Sequence, residues 1–216
     1  KYGARLHVLH VSTADELQFF SAGPVECKRI TAETCPQYLL FCDEHYQTFG
    51  ARIKCNPAIK RASDREALRK AVADGVIDVI STDHAPHLEQ EKQGGALKAV
   101  SGMPMVQFSL PVMVTLASEG TFTIEQVVEK MCHNPAKIFG IERRGFIRPG
   151  YYADLVLVDD SCEPYSVDSG MILSKCGWSP LEGAPLRAKT DITWVNGRQV
   201  WRYGVLFSSA SAKACL

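Results

Sequence analysis

The chain has 216 residues, with 24 Lys+Arg against 24 Asp+Glu, so its formal net charge is zero, and 46% of it is hydrophobic. A balanced charge gives no electrostatic case for nucleic acid or an anionic membrane as a partner, and no apolar run approaches the roughly 20 residues that a membrane helix needs. The composition is that of a folded globular protein in one large or two small domains, not of a disordered chain. The 8 cysteines form no C-x-x-C pair, so a zinc ribbon or a thioredoxin-like motif is not indicated. They read as reduced thiols of a cytoplasmic protein, mostly buried as small hydrophobes.

In chain order, the sequence opens on Lys1-Tyr2-Gly3 without a Met and runs at once into a predicted strand over 4–11, rich in apolar and β-branched residues. A buried strand needs a neighbour on each side, so upstream sequence is expected to supply one. Residues 14–20 read as a helix opened by a capping box, Thr13 with Glu16 three residues on, and ended by Gly23-Pro24. Ile30–Thr34 reads as a strand. Residues 52–55 read as extended and stop at Asn56-Pro57, because the residue before a proline leaves the helical region. Ser63 and Glu66 form a second box, ahead of a helix over 65–72 closed by Asp74-Gly75. An apolar strand over 76–81 follows. The polar, glycine-containing stretch 88–101 reads as a long exposed loop. Helices are expected over 104–118, 123–132 and 135–139. This alternation predicts an α/β protein with parallel strands.

Beyond Arg144 the pattern changes. Residues 145–149 and 153–158 read as short strands, and Asn196-Gly197 between 191–195 and 198–201 is a strong hairpin signal. The expected organisation is an α/β unit over 1–143, a small β unit over 144–207 and a frayed tail over 208–216.

Three features fall at the carboxyl ends of predicted strands: His10, the Asn56-Pro57 turn, and Asp83 with His87 four residues on. In a (β/α) barrel the active site is built at that face from several strand ends. Imidazole and carboxylate are zinc ligands, and an aspartate can also serve as a base. Each residue has a plainer reading: His10 as a core histidine, Asp83 as a turn cap, His87 as a solvated loop residue. His84 is open between a supporting role and the surface. His7 lies three residues before His10, on the other strand face, and reads as structural. His133 is expected to meet the carbonyls of a helix end, and His45 to be exposed. Cys35 and Cys55 read as buried structural thiols.

The combination carries more than its parts. Ser81-Thr82-Asp83-His84-Ala85-Pro86-His87 resembles the strand-eight motif of the dihydroorotases, in the metal-dependent amidohydrolase superfamily, and His10-Val11-Ser12-Thr13 resembles its strand-six metal-histidine motif. Lys54-Cys55-Asn56-Pro57-Ala58 resembles the substrate-binding segment after strand seven. His133-Asn134-Pro135-Ala136 and the run from Gly150 to Val156 are similar to the superfamily's late helix and β-sandwich return. The segment Lys175–Pro180 with Glu182-Gly183 is similar to the end of bacterial dihydroorotases. Two departures stand beside this. The family's strand-one His-x-His, its carboxylated bridging lysine and its strand-five histidine have no counterpart here. Glu33-Thr34-Cys35-Pro36-Gln37-Tyr38 instead resembles the allantoinase and hydantoinase form of strand seven.

The resemblance implies the carboxyl-terminal part of a (β/α)8 TIM-type barrel, from strand six onward, followed by part of a small β-sandwich. It implies two zinc ions in the complete enzyme, with His10 and Asp83 as metal ligands, Asp83 also as the catalytic base, and Asn56 and His87 as substrate-binding residues. The implied reaction is reversible hydrolysis of dihydroorotate to N-carbamoyl-aspartate in pyrimidine biosynthesis. Allantoin or a hydantoin is the alternative substrate, and a non-catalytic assembly scaffold is the alternative from another class. Two ligands and three strands build neither a binuclear site nor a closed barrel, so the chain by itself is expected to be inactive. A homodimer is the expected assembly, since two-fold dimers are the commonest oligomers.

Overall fold

The computed structural model describes residues 2–207. Its first part is a parallel sheet of three strands in sequence order, β1 (Leu6–Val8), β2 (Ile30–Thr34) and β3 (Val79–Ile80). Leu6 lies beside Ile30, and Glu33 beside Val79. The helices Ala62–Ala73 and Val106–Ser118 are the longest elements of the chain. Val11, Ala32, Leu39, Ile53, Leu68 and Met113 belong to one continuous buried core.

The second part is antiparallel. β4 (Leu155–Asp159) pairs with β7 (Lys189–Val195), which continues through β8 (Arg198–Arg202) to β9 (Val205–Leu206). A two-stranded ribbon, β5 (Tyr165–Ser166) with β6 (Pro185–Leu186), lies between β4 and β7 in the chain. The Asn-Gly hairpin forms as expected, with Asn196 at φ 51° and Gly197 at φ 78°. Both turn residues of a type I′ turn need positive φ, which asparagine and glycine supply at least cost. Arg144 joins this part to the segment before it, pairing with Asp154 and donating to Asn196 Oδ1 at 2.9 Å.

Several expected elements are corrected. The strand over 4–11 keeps only three paired residues, and 14–20 is a 3-10 turn, Asp15–Phe19. The box before it does form: Thr13 N–H donates to Glu16 Oε2 at 2.9 Å, and Glu16 N–H to Thr13 Oγ1 at 3.3 Å. The extended stretch over 52–55 begins inside a 3-10 turn, Gly50–Ile53, closed by Lys54 N–H on Ala51 O at 3.0 Å, and becomes extended only at Lys54. Gly50 at φ 51° makes that tight reversal possible. The second box shifts from Ser63 to Arg61 and Asp64, whose carboxylate takes Arg61 N–H at 3.2 Å and Ala14 N–H at 2.9 Å. The helix consequently starts at Ala62.

The strand over 76–81 shrinks because Val76 and Ile77 send their N–H groups back to Ala71 O, at 2.9 and 3.1 Å, to close the preceding helix. The loop 88–101 is not uniformly exposed: it contains the turn Glu89–Lys92 and the helix Gly95–Lys98, and Lys92 is buried. The helix over 123–132 holds its α form over Ile124–Val128 and then passes through one wide turn, Glu129–His133. Residues 145–149 form no strand, being bracketed by turns at Gly145 (φ 75°) and Gly150 (φ 83°). The tail over 208–216 lies outside the described residues. Among the described residues no helix is long and apolar enough to cross a membrane.

One buried ion pair crosses this architecture. Lys28 Nζ donates to Asp78 Oδ1 at 2.6 Å and to Gly75 O at 3.0 Å. Asp78 Oδ2 takes the N–H of Ala32 in β2 at 3.0 Å, and Asp78 O takes Asn134 Nδ2 at 2.9 Å. Three residues distant in sequence, Lys28, Ala32 and Asn134, thus converge on the desolvated carboxylate and carbonyl of Asp78.

Candidate active site

Because the three strands are parallel, their carboxyl ends open on one edge of the sheet. His10 follows β1, Cys35 follows β2 and Asp83 follows β3. The ends are held in register by Val11 N–H on Glu33 O at 2.8 Å, Thr34 Oγ1 on Val11 O at 2.8 Å and Ser81 N–H on Thr34 O at 3.0 Å. His10 and Asp83 then leave their strands with φ 40° and φ 45°. This left-handed region costs a non-glycine residue free energy and persists where the surroundings over-determine it, often at functional sites. Five described non-glycine residues have positive φ, and the other three, Arg143, Asn196 and Tyr203, lie outside the parallel sheet.

Beneath these ends runs a polar chain that spans all three strands. His7 Nε2 pairs with Glu33 Oε2 at 3.0 Å, while His7 Nδ1 meets Thr31 Oγ1 at 2.8 Å. Ser81 Oγ donates to Glu33 Oε1 at 2.6 Å and lies 3.4 Å from Cys35 Sγ. Burial works to raise the Glu33 carboxyl, but the bonds from His7 and Ser81 prevail and hold it below the usual carboxylate range. His7 is therefore satisfied within the sheet, as its strand face implied. Cys35 and Cys55 are both buried, and burial pushes both thiols up, so neither is a ready nucleophile.

Two further segments carry the other candidate residues. Asn56, exposed and joined to Pro57 by a cis bond, follows Cys55, whose thiol donates to Pro57 O at 3.1 Å. Tyr38 Oη donates to the same carbonyl at 2.7 Å. His87 is half-buried, with its carbonyl taking Trp178 Nε1 at 2.8 Å. Trp178 is 1% exposed and carries Arg52 over its ring at 5.1 Å, and Arg52 in turn pairs with Glu182 at 2.6 Å. The segment 175–183 thereby seats the loop that carries His87.

The open question over His84 is settled: its Nδ1 accepts the N–H groups of Met105 at 3.1 Å and Val106 at 3.2 Å, capping the helix Val106–Ser118. Burial lowers its pKa, favouring the neutral ring that this acceptor role needs. His133 does not meet helix carbonyls but stacks on Phe146, centroids 4.3 Å apart, because that ring offers an apolar face at the wide turn. His45 is half-buried, not exposed: its Nδ1 takes Cys42 N–H at 3.0 Å and closes the local turn.

Lys92 and Gly102 were not visible as site residues in the sequence. The run Leu88-Glu89-Gln90-Glu91-Lys92-Gln93 has the composition of a solvated turn, and no signal in it marks one lysine as buried. Gly102, at φ 121°, lies so close to the loop that a Cβ there would sit 2.5 Å from Ala85 Cβ and 3.2 Å from the His87 ring. Gly102→Ala is expected to cost about 1–3 kcal/mol of stability, from backbone strain and this contact together. It is also expected to displace His87, which urea unfolding and the His87 ring resonances would read out.

Among the described residues no group of three or more His, Cys, Asp or Glu is arranged to hold a metal ion. His10 and Asp83 stand on strands two apart, about 10 Å between backbones. Zinc sites usually take three or four protein ligands. The described residues do not by themselves fit a metal centre.

The amidohydrolase family profile matches residues 24–200. A dihydroorotase of Acetivibrio thermocellus is 38% identical over 202 residues, 93% of this chain and 47% of that protein. A dihydroorotase of Halobacterium salinarum is 37% identical over 201 residues, 92% of this chain and 46% of that protein. The solved L-hydantoinase (dihydropyrimidinase) of Arthrobacter aurescens superposes with a TM-score of 0.89 at 31% identity, over 95% of this chain and 46% of that one. The chain spans about half the length of the curated relatives it matches.

Proposed function

This chain belongs to the amidohydrolase family, and from that premise we infer that it contributes one side of a cyclic-amidohydrolase active site whose substrate is dihydroorotate. The observation that carries the reading is the pair of left-handed residues, His10 and Asp83, at the ends of parallel strands on one sheet edge. Residues 1–143 are the late part of a (β/α)8 barrel, and 144–207 part of a small β-sandwich. His10 and Asp83 are this chain's share of the ligands to a metal centre, taken as two zinc ions. The other ligands come from strands outside this chain.

The chemistry assigned to the chain's own residues is compact. Water adds to the ring amide carbonyl, the carbon–nitrogen bond breaks, and the ring nitrogen leaves with a proton. Asp83 is exposed at the site, free to take the proton of the attacking water and pass it to that nitrogen. Asn56, with one acceptor and two donors, and His87 hold the pyrimidine ring and the carboxylate. Turnover of dihydroorotate, allantoin and a hydantoin, measured in parallel, tests the assignment. Preference for dihydroorotate supports it, and preference for either of the others refutes it.

One observation favours a second reading. The run Glu33–Tyr38 has the hydantoinase and allantoinase form, and a hydantoinase is among the structures that superpose well. A hydantoin as substrate is the reading that follows from it.

A further inference from the structure

Lys92 closes the turn Glu89–Lys92 among exposed neighbours, yet is 2% exposed. Its ammonium donates to Gly102 O at 2.6 Å, Val100 O at 2.8 Å and Lys54 O at 2.9 Å. Three N–H donors meet three carbonyls, so its hydrogen-bonding capacity is used in full. The titratable groups facing it from the neighbouring segment are the Lys54 ammonium and the Cys55 thiol, neither of them an anion at neutral pH. On its own turn, Glu89 pairs with Arg52, and Glu91 takes Leu88 N–H. Burial pushes the Lys92 ammonium down to about 8, which still leaves it mostly charged at neutral pH. Keeping a buried cation without a carboxylate is costly, and the gathered carbonyls are what offsets that cost.

The carbonyls belong to the two segments that carry the substrate contacts. Lys54 stands two residues before Asn56. Gly102 ends the loop that leaves β3 through Asp83 and His87, and it backs directly onto the His87 ring. Gly102 N–H also donates to Lys54 O at 2.9 Å, so this one carbonyl joins both segments and the ammonium.

We propose that Lys92 is a positioning residue, whose ammonium ties the Asn56 segment to the glycine behind the His87 ring and so sets the separation of the two groups that hold the substrate. This rests on the reading of Asn56 and His87 as substrate contacts. It assigns Lys92 no contact with the reacting atoms.

The test has two readouts. In the chain itself, Lys92→Met is expected to speed hydrogen exchange at the Gly102 amide about tenfold or more, while the Ala32 amide in β2 keeps its protection. In the assembly that turns over dihydroorotate, the same variant is expected to raise KM about tenfold and leave kcat within about threefold. Lys92→Gln, with two N–H donors, is expected to fall between wild type and Lys92→Met in both. An unaltered Gly102 amide or an unaltered KM overturns the proposal. Loss of protection throughout the chain in both variants also overturns it, since Lys92 would then serve folding alone. If the wild type turns over no cyclic amide, the functional reading fails separately, and Gly102 exchange still decides whether the clamp exists.

Discussion

Replacing Lys28 by methionine is expected to destabilise the fold by about 3–5 kcal/mol, read as a fall in the urea midpoint at unchanged m-value. The cost comes from what is left behind. Asp78 is 1% exposed and loses the ammonium 2.6 Å from its Oδ1. Its other oxygen is still held by Ala32 N–H, so the carboxylate reaches water only by giving up that bond as well. An uncompensated buried charge is much more expensive than a pair removed together. Lys28→Met combined with Asp78→Leu is therefore expected to cost less than the sum of the single changes, by about 1 kcal/mol or more. Strict additivity would mean that the two residues do not act as a pair.

Asp83→Asn is expected to lower kcat/KM for dihydroorotate about a thousandfold, within the range for loss of a positioned acid–base group. The substitution is nearly isosteric, and asparagine tolerates the left-handed conformation that Asp83 adopts at φ 45°. Asp83 is also exposed, so the fold loses no buried partner. An unchanged unfolding midpoint beside the lost rate would separate chemistry from stability. Retention of most of the activity would remove Asp83 from the proton transfer.

These two expectations mark what could and could not be seen in the sequence. Ile30–Thr34 and the Asn196-Gly197 hairpin were legible because each is decided locally, by β-branched residues and by turn chemistry. Asp83 was legible as a strand-end residue for the same reason, since the apolar run before it stops at Ile80, whereas His10 stands one residue inside the predicted run, before Val11. Elements decided by distant partners were misplaced. Asp64 receives Ala14 N–H from fifty positions away, which draws the helix start back to Ala62. Val76 and Ile77 were misplaced for a local reason: they have the composition of a strand but give their N–H groups to Ala71, closing the helix before them. Lys92 could not be found at all, because its burial follows from three carbonyls that folding brings to it. The Lys28–Asp78 pair is hidden likewise, its members standing just before β2 and β3 and meeting only when those strands align.

We propose that this chain supplies part of a cyclic-amidohydrolase site that its own three parallel strands do not complete. The most direct measurement is dihydroorotate hydrolysis by these 216 residues alone with added zinc, beside the same chain continuous with the strands that close the barrel. The expected result is no turnover by the chain alone and clear turnover by the longer polypeptide. Hydrolysis of dihydroorotate by the chain alone at an ordinary enzymatic rate would contradict it.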